Sequence, residues 1–148
     1  MSTLSTFVPD LFFLLTQSGY GSYGSTLFKG PKAVLPDVIP IGFRALITIT
    51  RTGGQGDEGT HNLSRDTIAY ERPDAQVICR AERPQDAEDV ANELYLPVFN
   101  FYDRFVNGTW WRICSPKQEP FPMPIDEKGR SVYIFNISSV KRVSPATS

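Results

Sequence analysis

The sequence lacks an excess of charge of either sign. Its 148 residues carry 15 Lys and Arg against 16 Asp and Glu, a formal net charge of −1. Affinity for nucleic-acid phosphates comes from excess cations that release counterions, so this balance excludes a general phosphate-gripping protein. It also excludes an acidic solvating tail. Cysteine is scarce: Cys79 and Cys114 are the two, too few for a disulfide scaffold or a four-ligand zinc site. Histidine is scarcer still. His61 stands alone, with no second His or nearby Cys to complete a metal site. Ser64 and Asp66 lie close to it, but such local spacing carries no Ser-His-Asp signature. Long apolar runs are missing too. The run Leu11 to Leu15 is far too short to span a bilayer, and the N-terminus shows no basic region or small-residue cleavage site, so neither a membrane partner nor a secretory signal is expected.

What is present suits one domain with its own core. Eleven Gly and 12 Pro point to a loop-rich fold, and 12% aromatics, ten Phe among them, need a core or a partner to cover them. Apolar residues at helical spacing from Phe7 to Leu15, with Gly19 as a stop, predict a short amphipathic helix over about 7–18. A short strand follows near 25–29, then a Pro-rich extended connection over 30–42. ALITITR (45–51) and AQVICRA (75–81) alternate as strands do. In the second, Val77 and Cys79 share one face and Gln76, Ile78 and Arg80 the other. Pro84 and the acidic residues behind it predict a long helix over about 84–106, interrupted at Pro97. Asn107-Gly108 hands over to a strand at 109–115, and 131–140 forms the last strand. Two long loops, about 52–66 and 116–129, are expected between them. The fold class is α/β of the α+β type, with a single mixed, mostly antiparallel sheet of four to five strands and two helices on one face. The chain reads as a single domain, 1–148, with 142–148 a short polar tail.

No catalytic constellation emerges, and no cofactor or metal is expected. Gly54 to Gly59 matches G-x-G-x-x-G after a strand. A dinucleotide site needs a helix to open at the third Gly, and none is patterned here. The cysteines read as buried and inert. Adjacent Trp110 and Trp111 on a strand point to opposite faces, so one joins the core and the other is left for an interface. Charge is distributed unevenly: residues 75–108 carry three basic and six acidic groups, and residues 109–148 carry six basic and three acidic. Such opposite halves suit contact between identical neighbours. Loops as long as the two expected here are usually functional, and with no catalytic cluster in them binding is the reading they support.

Several segments, in order, resemble the phage tail terminator proteins, including the group often labelled phage minor capsid proteins. They are the N-terminal helix with the Gly-rich turn into Thr26-Leu27-Phe28, Thr52-Gly53-Gly54, His61-Asn62, Tyr70 to Pro73 leading into Gln76 to Ala81, Asn107-Gly108, Gln118 to Phe121, Asp126 to Arg130, and Asn136. The resemblance implies a structural virion protein, not an enzyme. It implies a small subunit forming a ring, a homohexamer, that caps the head-proximal end of the tail tube, stops tube polymerisation and offers the attachment surface for the head. The implied partners are the chain itself, the tail tube protein and a head-completion or connector protein, with DNA passing through the ring without sequence-specific binding. The implied place is the neck of the virion, after assembly in the host cytoplasm. A head-completion or connector ring is the alternative, and a small hydrolase using His61 a further one. The expected contact residues are Gly53, Gly54, His61, Asn62, Trp110, Trp111, Glu119, Pro120, Phe121 and Arg130.

Overall fold

The computed structural model describes residues 7–30, 34–58 and 69–143. Helix α1 spans Phe7–Gln17. Val8, Leu11, Leu14 and Leu15 recur on one side of it and are buried, each such side chain contributing roughly 1.5–3 kcal/mol on leaving water. The helix closes over Gly19, where the Tyr20 N–H donates to the Leu15 carbonyl at 3.0 Å and the Gly19 N–H to that of Thr16 at 3.2 Å, satisfying carbonyls that the helix end would otherwise orphan. Strand β1 (Leu27–Lys29) runs parallel to β2 (Leu46–Glu58). β2 pairs antiparallel with β3 (Ala69–Ala81). Helix α2 (Pro84–Glu93) follows, then one wide turn of π type (Leu94–Val98). β4 (Phe101–Val106), β5 (Thr109–Pro116), β6 (Phe121–Met123) and β7 (Ser131–Val143) complete the chain.

The sheet runs in the order β1-β2-β3-β7-β5-β4. β7 carries β3 along one side; on the other, β5 takes residues 137–141 and β6 takes 132–134. One face bears Ile47, Ile49, Ala75, Val77, Cys79, Phe135 and Ile137, and both helices pack into the same core through Leu11, Leu15, Val90 and Ala91. The other face is covered where β7 begins. There Arg130 donates to the Pro36 carbonyl, Lys128 pairs with Asp37, and Arg80 lies 3.6 Å from Asp126. These contacts fasten the connection that enters β2 across the sheet. The far half of this face, toward β5 and β4, is open.

Four expectations are corrected. The sheet has seven strands, not four or five. The helix expected over 84–106 stops at Glu93, and its end, Phe101–Val106, is strand β4. Pro97 has no N–H to donate, and the turn around it closes instead through the Phe99 N–H on the Leu94 carbonyl at 2.9 Å, which ends the helix. The loop expected over 52–66 is strand as far as Glu58, and β3 begins at Ala69; the ladder absorbs the glycines through register shifts at Arg51/Gly53 and Gln55/Glu58, where a bulge accommodates an extra residue. β6 lies inside the second expected loop, and β7 runs on to Val143. The mixed, mostly antiparallel sheet with its helices on one face agrees with the sequence reading.

Candidate assembly surface

The hairpin β4–β5 is built on two residues. Asn107 (φ 48°) and Gly108 (φ 86°) are both left-handed, the signature of a type I′ turn, which matches the twist of the flanking strands. Val106 and Thr109 pair across it, then Phe105 with Trp110 and Tyr102 with Ile113. Directly paired residues share a face. Here that face is the open one: Tyr102 is 75% exposed, Phe105 63%, Ile113 42% and Trp110 38%. The Phe105 and Trp110 rings stand 6.2 Å apart. A shallow groove of about 470 Å³ continues the surface inward, lined by Arg72, Tyr102, Asp103, Arg112, Ile113 and Val140.

β4 is also the end strand of the sheet, so among the described residues one side of its backbone has no ladder partner. Proteins commonly protect such an edge with charge and irregularity. Both are present: Asp103 sits at φ 49°, Arg112 approaches it at 3.9 Å, and Arg104 lies over the Phe101 ring at 5.3 Å. An aromatic row beside Arg112 at the end of the sheet, with Arg104 on the other side of the same strand across from Trp111, has the composition of a protein contact surface.

The opposite side of the same hairpin is anchored inside the protein. Trp111 is fully buried, edge-on to Phe101 at 6.1 Å, with the buried Lys141 ammonium 5.6 Å from its ring centre. Asn107 Nδ2 donates to Asp10 Oδ1 at 3.2 Å, which ties the turn to α1. Burial raises the Asp10 pKa above the ordinary carboxylate range, and the Asn107 hydrogen bond and the Lys141 charge oppose that rise. A second polar tie lies at the other end of the core. Arg44 holds Glu93 with two hydrogen bonds, 2.8 and 2.5 Å, and the Tyr20 hydroxyl donates to the same carboxylate at 2.8 Å. Burial, then the Glu93 contact, pushes Tyr20 up to about 12; the Arg44 hydrogen bond holds Glu93 low. This triad fastens the connection before β2 to α2. Both cysteine thiols are buried, with Cys79 pushed up to about 12 and Cys114 raised as well by desolvation, the opposite of an activated nucleophile. Among the described residues no group of three or more His, Cys, Asp or Glu side chains could hold a metal, and no helix is long and apolar enough to cross a membrane.

The residues singled out in the sequence fall in different places. Gly53 and Gly54 lie in β2, opposite Asp74 and Pro73. His61 and Asn62 lie outside the described residues. Glu119 is exposed, and Pro120 and Phe121 are half-buried where β6 begins. Trp110 is on the open face. Trp111 and Arg130 are corrections: they are 0% and 2% exposed, and both are engaged inside their own chain. Trp111 is core, and Arg130 is a clamp on the Pro36 carbonyl. Sequence reasoning missed Tyr102, Phe105, Ile113, Arg104 and Arg112 as surface residues. The signal for them was Asn107-Gly108 itself, a hairpin turn that requires a strand before it as well as after.

A family model described as bacteriophage tail terminator protein matches residues 15–141. No match to a curated protein is found. Among solved structures, a chain from the virion of a native gene transfer agent particle is similar, at 8% identity and a TM-score of 0.48, over 88% of this chain and 84% of that one.

Proposed function

This chain belongs to the bacteriophage tail terminator protein family, and on that premise we propose that its copies close into a ring, a homohexamer, that caps the head-proximal end of the tail tube. The family is one of structural phage proteins rather than enzymes, so the chain is a structural component of the virion tail. The ring occupies the surface on which the next layer of tube protein would assemble, and so stops polymerisation. Its other side receives a head-completion or connector protein, and DNA passes through without sequence-specific contacts. The ring sits at the neck, and it is assembled in the host cytoplasm.

The observation that carries this reading is the open aromatic row Tyr102, Phe105, Trp110 and Ile113 on an unpaired end strand. The described residues have a core of their own and leave this surface uncovered, and exposed apolar patches of this kind mark assembly. The remaining expected contacts, Gly53, Gly54, His61, Asn62, Glu119, Pro120 and Phe121, are proposed to meet the tube protein or the neighbouring copy. A phage deleted for this gene tests the function. Tails of uncontrolled length are the expected result; normal tails on leaking heads would instead identify a connector and overturn the terminator reading.

A further inference from the structure

Part of the charge that the sequence separates into two halves is neutralised within the folded chain. Of the basic half, Lys117 pairs with Asp74, Lys128 with Asp37, Arg130 is clamped between Asp126 and Pro36, and Lys141 is buried. Of the acidic half, Asp86 pairs with Arg83 and Glu93 with Arg44. Two charged patches are left over. On α2 the core side is Ala87, Val90 and Ala91. Away from it, Glu88 on the helix and Glu82 just before it pair with no cation among the described residues, and Asp89 accepts from the neutral Gln85 at 2.7 Å. On the β4–β5 edge, among the described residues, Arg104 lies over the Phe101 ring and Arg112 has a 3.9 Å contact to an exposed Asp103.

The two patches lie at different places on the molecule. α2 covers the helix face over β3 and β7; the aromatic row and Arg112 lie on the open face at the far edge, and Arg104, paired with Trp111, on the helix side of that same edge. Complementary patches on separate surfaces of one chain cannot satisfy each other within it, and they do not fall together in one two-fold contact. They give a head-to-tail contact, which forms a ring when the rotation between copies closes. We propose that the β4–β5 edge of one copy docks on the outer side of α2 of the next, with Arg104 and Arg112 facing Glu82, Glu88 and Asp89. Tyr102, Phe105 and Trp110 supply the apolar area of the contact, and the charges fix its register and its partner. This inference rests on the ring reading above.

The test is charge reversal in the full chain, read as assembly mass by sedimentation, alone and with the tail tube protein. Arg104→Glu with Arg112→Glu, and separately Glu88→Arg with Asp89→Arg, each weaken association by about tenfold or more, because like charges then face each other. The four substitutions together restore it. All these side chains are exposed or half-buried, and unchanged circular dichroism and melting confirm that each variant folds. Double variants that assemble like the native chain overturn the docking surface and leave the ring reading intact. Double variants that fall without rescue by the fourfold change overturn the pairing. A native chain that stays at 16.6 kDa at every concentration, with tube protein or without, overturns the ring itself.

Discussion

Gly108 shows how much of the candidate surface depends on single backbone positions. Its φ is 86°, and a Cβ built there meets nothing within 4 Å. Gly108→Ala therefore costs only the left-handed conformation, about 1–2 kcal/mol, and urea unfolding is expected to show a loss of that size. Gly21 is a different case. Its φ is 116°, and an added Cβ would fall 1.6 Å from Thr26 Oγ1, inside a turn where that hydroxyl donates to the Tyr20 carbonyl. Gly21→Ala combines strain with a clash against a buried side chain and is expected to lose more than Gly108→Ala does. Asp10 makes a residue-scale prediction in pH. Its pKa is raised in the folded state, mainly by burial, so the folded chain binds the proton more tightly than the unfolded one. That contribution to stability is complete below the ordinary carboxylate range and is lost as pH rises through the raised value. Asp10→Asn holds the neutral form at every pH. Stability measured from about pH 4 to about pH 7 should therefore shift in favour of the variant, relative to wild type, as pH rises. Parallel curves for the two proteins would show that Asp10 titrates normally.

At the scale of elements, the most instructive segment is the one that follows α2. Val98, Phe101, Tyr102 and Phe105 fit a helical stripe as well as they fit a strand, because an apolar residue every three or four positions also satisfies much of an alternating pattern. Pro97 marked the interruption, but the pattern continued past it. Only Asn107-Gly108 argued for a strand on both sides, and that signal becomes decisive once a partner strand is known to be there. The segments 45–51 and 75–81 were legible because their apolar and polar residues alternate; in 75–81 burial follows the alternation, whereas 45–49 is buried on both faces. Their extension to Glu58 and back from Ala69 was not, since glycine, proline and charged residues carry no β pattern and are held in the ladder by their neighbours. The core choice of Trp111 over Trp110 was open in the sequence; strand geometry said that one would be buried, and the tertiary packing decided which. The element also separates two kinds of phenylalanine. Phe99 is fully buried against Phe135, with ring centres 6.3 Å apart, and Phe99→Ala is expected to cost about 3–5 kcal/mol in unfolding free energy. Phe105 is 63% exposed, and Phe105→Ala should change the stability of the isolated chain by less than about 0.5 kcal/mol while weakening its assembly. Loss of stability in both variants would place Phe105 in a core rather than at a contact.

At the scale of the whole molecule, the fold divides its labour between two faces of one sheet. The helix face holds the core, with α1 and α2 over β2, β3 and β7. The open face is closed by the connection before β2 at one end and uncovered at the other, beside an end strand. A protein that worked alone would have reason to cover that end, because an apolar edge invites pairing with whatever strand it meets. Here the edge carries arginines and a left-handed Asp103, which discourage indiscriminate strand addition but leave the aromatic rings available. The arrangement favours one partner of matching shape and charge over many. The two tryptophans report directly on whether that partner is met. They are the only two in the chain, and they differ in exposure: Trp111 is 0% exposed and Trp110 38%. In the dilute chain, acrylamide should quench Trp110 and leave Trp111 dark to it. As concentration rises and sedimentation shows assembly, quenching should fall, since a contact through the β4–β5 edge covers Trp110 and has nothing further to cover at Trp111. Trp110→Phe should remove the change while the mass still rises. Quenching that stays constant through the rise in mass would mean that the copies meet elsewhere and that the aromatic row faces another protein of the tail.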